Sequence, residues 1–146
     1  ARRLVPIGSA VLLVAAGAAA LLLLRGGGAG QELNVVIGDY AAGDGGCSTS
    51  SYTGVRFVGT RLTLRDSRGQ ILDSAALSGP GKLVDTNEPA RGPTEGCAWT
   101  LSLTGLGDSA VYELEIEPPD RAPETLTLSE KELEEQDYSI ELFVNR

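Results

Sequence analysis

Two hydrophobic patterns divide this chain. Leu4 to Leu24 runs without a charge, between Arg2-Arg3 and Arg25, and a glycine-rich stretch, Gly26 to Gly30, follows. At about 1.5 Å per residue the apolar run is roughly 31 Å long as a helix, enough to cross a bilayer core. From Leu33 onward the dominant period is two. Residues 33–37 predict a short first strand, and 38–51 a glycine- and serine-rich loop. Residues 56–66 predict a long strand in which Leu62 and Leu64 alternate with Arg61, Thr63 and Arg65. Asp66-Ser67-Arg68-Gly69-Gln70 is hairpin-turn chemistry, with Gly69 free to take positive φ, and 71–77 is the return strand. After the Ser78-Gly79-Pro80-Gly81 turn, 82–85 reads as an edge strand and 86–96, with two prolines and two glycines, as a loop. Cys97, Trp99, Leu101 and Leu103 then alternate with polar or small residues, and Ala110, Tyr112, Leu114 and Ile116 with glutamates. A strand over 125–128, a helix over 129–136 opened by the Ser129-x-x-Glu132 capping box, and a strand over 138–144 complete the chain. Seven or eight short strands at this spacing predict an all-β domain, an Ig-like antiparallel β-sandwich with one short helix. The organisation expected is a transmembrane helix over 1–25, a linker over 26–32 and an extracytoplasmic domain over 33–146.

A secretory signal has a basic start, a short apolar core and a small-x-small cleavage site. Here the apolar core is too long for that pattern, and Arg25 sits behind four leucines where it can snorkel to the interface. The expectation is a retained single-pass anchor; a cleaved signal peptide is the alternative. Arg2 and Arg3 favour a cytoplasmic N-terminus, which places the following domain outside. On such a helix the small residues Ala16, Gly17 and Ala20, with Leu13, would form a face that a neighbouring helix could approach closely.

Charge narrows the partners. All twenty acidic residues lie beyond Gly30, with nine of the twelve basic ones, so this part carries −11 against −8 for the whole chain. Nucleic acid and anionic headgroups are poor partners for that surface. Histidine is absent, which removes the commonest general base and the commonest metal ligand. Cys47 and Cys97 are the only cysteines, on a chain that reads as exported. A disulfide between them is the expectation; two free thiols or a metal site are the alternatives, and two cysteines without histidine make a poor zinc site.

No catalytic constellation stands out. Ser78 and Lys82 are separated by glycine and proline, which is turn chemistry. Gly81-Lys82 is followed by Leu83, not by the Ser or Thr of a phosphate loop. Glu113, Glu115 and Glu117 read as the solvent face of an amphipathic strand. Asp39 and Asp44 sit among glycines and raise the question of Ca²⁺, but their spacing matches no calcium loop. Trp99 reads as core packing over a disulfide. No catalytic, cofactor-binding or metal residue is assigned.

The residues Cys47, Tyr52-x-Gly54-Val55, Leu62-x-Leu64-x-Asp66-x-x-Gly69-x-x-Leu72, Leu77 with Gly79, Cys97-x-Trp99 and Ser129 to Leu133 carry a resemblance. Over roughly residues 33 to 144 the chain resembles small actinobacterial proteins, exported or membrane-anchored, whose β-rich outer domain holds two cysteines. The family pattern has an acidic residue where Gly54 stands. An MmpS-like architecture, one helix plus an outer sandwich beside a large transporter, is a variant of the same likeness. These motifs mark turns, core and disulfide, so the resemblance implies location and fold and lends no activity. The expected role is a non-catalytic accessory subunit of a larger membrane complex in the cell envelope, without cofactor or nucleic acid and with the small-molecule ligand unassigned. A pilin-like filament subunit and a secreted binding domain are the alternative classes.

Overall fold

The computed structural model of the protein describes residues 11–14, 30–40, 42, 47 and 56–144. Nine strands and one helix follow in order: β1 Val11–Val14, β2 Gln31–Asp39, β3 Arg61–Asp66, β4 Ile71–Ala76, β5 Lys82–Glu88, β6 Gly92–Leu106, β7 Val111–Glu117, β8 Glu124–Ser129, α1 Glu130–Glu135 and β9 Ser139–Val144. They form two sheets, one of five strands in the order β1-β9-β2-β6-β5 and one of four in the order β4-β3-β7-β8. The protein is therefore an all-β, sandwich-like fold with a single short helix among the described residues.

Alternation builds the core between the sheets. Leu33, Val35 and Ile37 on β2, Trp99 and Leu103 on β6, and Ile140 and Leu142 on β9 supply one wall. Leu62 and Leu64 on β3, Tyr112, Leu114 and Ile116 on β7, and Leu126 and Leu128 on β8 supply the other. Burying side chains of this size contributes about 1.5–3 kcal/mol each, which is what holds two otherwise separate sheets together. Glu113, Glu115 and Glu117 alternate with the buried residues of β7, as the sequence pattern predicts. The β3–β4 turn also follows the sequence. Gly69 has φ +78°, and the Asp66 carboxylate accepts from the backbone N–H of Arg68 and of Gln70, both at 2.9 Å. At α1 the capping box is complete: Ser129 Oγ accepts from Glu132 N, and Glu132 Oε2 accepts from Ser129 N. Leu133 drops from this helix into the core.

Two expectations need correction. Residues 86–96 are not a loop: β5 and β6 form a hairpin there, paired from Lys82↔Ala98 to Glu88↔Gly92, with the turn at Pro89 to Arg91. Pro93 is tolerated because it lies past the end of the β2–β6 ladder, which stops at Asp39↔Cys97. The sandwich is not wholly antiparallel, since β2 and β9 run parallel from Asn34↔Ser139 to Asp39↔Val144. The crossover between them takes in the whole second sheet, so no tight turn forces the antiparallel sense. Of the segment expected to be a membrane helix only Val11–Val14 is described, as a strand antiparallel to β9, from Val11↔Val144 to Val14↔Glu141. Two β-branched valines and the open edge of β9 favour that pairing. Leu13 lies on this strand, while Ala16, Gly17 and Ala20 fall outside the described residues. No helix among the described residues is long and apolar enough to cross a membrane.

Candidate functional site

The five-stranded sheet is apolar on both faces at one end. Its inner face is the core; its outer face carries a second cluster, Tyr40, Ala98 and Phe143, backed by Val36 and Val84. The three central residues keep only 4%, 7% and 7% of their surface exposed, although they point away from the core. Register places them together. Phe143, Gly38 and Ala98 stand opposite one another on β9, β2 and β6, and Glu141, Val36 and Thr100 form the next row. Further along the same face come Asn34 and Ser102, joined by a 2.8 Å hydrogen bond from Ser102 Oγ to Asn34 Oδ1. The outer face thus grades from apolar to polar along the strands.

Gly38 makes the apolar end possible. A Cβ at this position would lie 2.5 Å from Phe143 Cε1 and 2.7 Å from the Cys97 carbonyl oxygen, so the Phe143 ring occupies the space that any larger residue would need. Held there, Phe143 packs on Tyr40 with ring centroids 5.0 Å apart and planes tilted by 34°. Thr86 and Thr94 close the upper rim. Their hydroxyls lie 2.7 Å apart, and both donate to the Tyr40 carbonyl oxygen, at 3.3 and 2.7 Å respectively.

These residues surround an open depression of about 260 Å³, walled by Val36, Tyr40, Val84, Ala98 and Phe143 and edged by Asp85, Thr86, Asn87 and Glu141. Among the described residues, Asp85 and Glu141 are the charged ones at its edge. Glu141 is half-buried, and burial raises its carboxyl above the usual 4.5. Around it, β2 presents Val36 with Asn34 and Glu32 further along the face, β6 presents Thr100, β5 presents Lys82 and Val84 at the opposite margin, and Val14 of β1 stands opposite Glu141 in register.

A second, polar depression of about 390 Å³ lies at one pole between the β3–β4 turn and residues 105–109. Its groups are already used structurally. Asp66 closes the turn, and its carboxyl is held below the usual range chiefly by the Gln70 N–H, with Arg68 adding to the effect. Tyr112 donates its hydroxyl to the Gly107 carbonyl oxygen at 2.8 Å and accepts from Gly107 N–H at 3.0 Å, and burial raises its phenol. Beside this pole Asp73 accepts from Thr104 N at 2.7 Å and Thr104 Oγ1 at 3.1 Å, which ties β4 to β6 and lowers the Asp73 carboxyl.

The residues singled out in the sequence are structural where they are described. Cys47 and Cys97 form a disulfide, with Cα atoms 5.4 Å apart. Trp99 is buried, stacks on Phe57 at 4.8 Å, and donates Nε1–H to the Gly79 carbonyl oxygen at 3.1 Å. The Ser78–Gly81 turn therefore caps the tryptophan. Asp39 is fully buried at the end of β2, while Asp44 lies outside the described residues. No group of three or more potential metal-ligating side chains occurs among the described residues. Sequence reasoning missed Val36, Ala98, Glu141 and Phe143. Their signal lay in Val35-Val36-Ile37 and Leu142-Phe143-Val144, runs apolar on both faces of a strand.

Fold and site together define an all-β, disulfide-linked, two-sheet domain with an acidic-edged apolar depression on one outer face. Comparison with protein-family models, curated proteins and solved structures finds no match to the chain.

Proposed function

We propose that the chain is a non-catalytic accessory subunit of a larger membrane complex in an actinobacterial cell envelope. Its apolar N-terminal segment is the single-pass anchor, with the N-terminus cytoplasmic, and its Ig-like domain docks outside through the outer side of the five-stranded sheet. The observation that carries this reading is the second apolar cluster, Tyr40, Ala98 and Phe143 with Val36 and Val84, which lies on the side of the sheet away from the main core and leaves an open depression there. The Cys47–Cys97 disulfide supports an oxidising compartment. Anchoring requires Val11–Val14 to leave β9, because lipid offers a lone strand no hydrogen bonds whereas a helix satisfies its own backbone.

The test is purification of the native protein in mild detergent, followed by mass spectrometry of what accompanies it. A stoichiometric membrane-protein partner is expected, and Val84→Glu, which places a charge at the edge of the cluster, should release it. Recovery of a lone monomer, or a complex indifferent to Val84→Glu, would overturn the assignment.

A further inference from the structure

The margins of the two sheets are built differently. β5, at one edge of the five-stranded sheet, carries Lys82, Asp85 and Glu88. Charges on an edge strand discourage another chain from pairing there. In the four-stranded sheet, β4 bulges at Leu72, which is skipped between Leu64↔Asp73 and Arg65↔Ile71, and β8 runs straight into α1. Bulges and covering helices protect edges in the same way. β9 has none of these devices. Its register against β2 is unbroken from Asn34↔Ser139 to Asp39↔Val144, and it contains neither proline nor glycine and a single charge, Glu141. Leu142 is buried on the core side of this strand and Phe143 on the outer side, so its end is apolar on both faces. What covers the edge is β1, four residues of the chain's own apolar segment, antiparallel from Val11↔Val144 to Val14↔Glu141.

An anchored segment cannot stay there. As a helix in lipid, residues 11–14 satisfy their own backbone and no longer pair with β9. Sixteen residues separate Val14 from Gln31, a tether long enough for β1 to leave without moving β2. Its departure uncovers the backbone groups of residues 141–144 on that side, at the rim of the apolar outer cluster. An extended segment of another chain replaces what is lost, since backbone hydrogen bonds and alternate side chains are matched together in strand addition.

We propose that the outer edge of β9 is a strand-addition site for the membrane partner, and that residues 11–14 are the internal strand that holds it closed until the anchor enters lipid. The incoming segment is extended and antiparallel to β9. It has bulky apolar residues at two adjacent positions, one opposite Leu142 on the core side and one opposite Phe143 on the outer side. The proposal rests on the anchored reading of the N-terminal segment, and it assigns the docking surface its mode of contact.

The full chain, isotope-labelled, is reconstituted into phosphatidylcholine nanodiscs. The carbon shifts of residues 11–14 report whether they are helical in lipid or still paired with β9. The probe is a peptide with Val-Leu-Leu-Val between pairs of lysines. Its control carries N-methyl groups on both leucines, so that whichever faces β9 has lost its donor while side chains and charges are unchanged. Binding is read from the amide signals of residues 140–144. The probe should shift these signals and slow their exchange, and the control should bind about tenfold more weakly. If residues 11–14 are helical and the probe binds no better than its control, strand addition is refuted and the anchor stands. If residues 11–14 stay paired with β9 in lipid, the edge never opens, and the anchored reading and the strand-addition site both fall.

Discussion

Phe143 lies across Gly38, and a hydrogen in place of a side chain there shapes the whole outer face. Alanine at position 38 would displace the ring and open the cluster that walls the depression. Glu141, two residues earlier on the same strand, feels that environment. Burial raises its carboxyl, so the folded state holds this proton more tightly than the unfolded chain does. The associated stability is fully present below the usual 4.5 and is lost as pH rises through the folded value. Glu141→Gln, neutral at every pH, should therefore match the parent in acid and exceed it at neutral pH by roughly 1 kcal/mol or less, as the site is partly solvated. Urea unfolding at several pH values measures this. A variant less stable than the parent at neutral pH would mean that Glu141 has a stabilising partner. Asp73 works in the opposite sense: its lowered carboxyl lends stability above the usual 3.8, which is lost as pH falls through the depressed folded value. Among single residues, Trp99 was legible, because a tryptophan beside a cysteine on an alternating strand has few other places to go. Glu141 was not. In Ile140-Glu141-Leu142 the period-two rule assigns glutamate to solvent, and only the neighbouring strands reveal that this solvent face is half covered.

Elements that carry their own local chemistry were legible, and those made by their neighbours were not. The helix α1 is six residues long, too short to persist alone in water. It exists because Ser129 and Glu132 satisfy each other's backbone donors at its start and because Leu133 is buried beneath it. Tyr138 adds a 2.8 Å hydrogen bond from its hydroxyl to Glu130 Oε1. Ser129→Ala removes the cap acceptor and should cost about 1 kcal/mol, read as a shift in the urea midpoint with an unchanged slope. A change of slope would indicate instead that the helix end and β9 come apart before the rest. Residues 92–96 show the converse. Gly92, Pro93 and Gly96 are turn residues by composition, yet β5 pairs with them residue by residue. Gly96 is required there, since a Cβ would collide with the Asp39 carbonyl oxygen and sit 2.9 Å from Thr86 Cγ2. What reads locally as a break is a place where strands pass too closely for a side chain.

At the scale of the molecule the disulfide joins the loop after β2 to the centre of β6, residues fifty apart in sequence. Closing a loop of that length stabilises the fold by about 4 kcal/mol in the chain-entropy model, a large share of the roughly 5–15 kcal/mol typical of a domain. The Cys47→Ser, Cys97→Ser double variant should therefore lose about that amount in urea unfolding and become marginal, and a loss below about 1 kcal/mol would show the cross-link to be dispensable. The sandwich class was legible from strand number and spacing, as was the pairing of the two cysteines. The parallel placement of β9 beside β2 was not, because it pairs strands separated in sequence by the whole second sheet and no local pattern encodes that. This placement also bears on the order of assembly. β9, the last of the described strands in chain order, is an interior strand flanked by β2 and β1. Until residues 139–144 have left the ribosome or the translocation channel, β2 lacks its parallel neighbour. Contacts of such long sequence separation form late and slowly. The five-stranded sheet is thus completed only once residues 139–144 are available, and this six-residue strand acts as its latch.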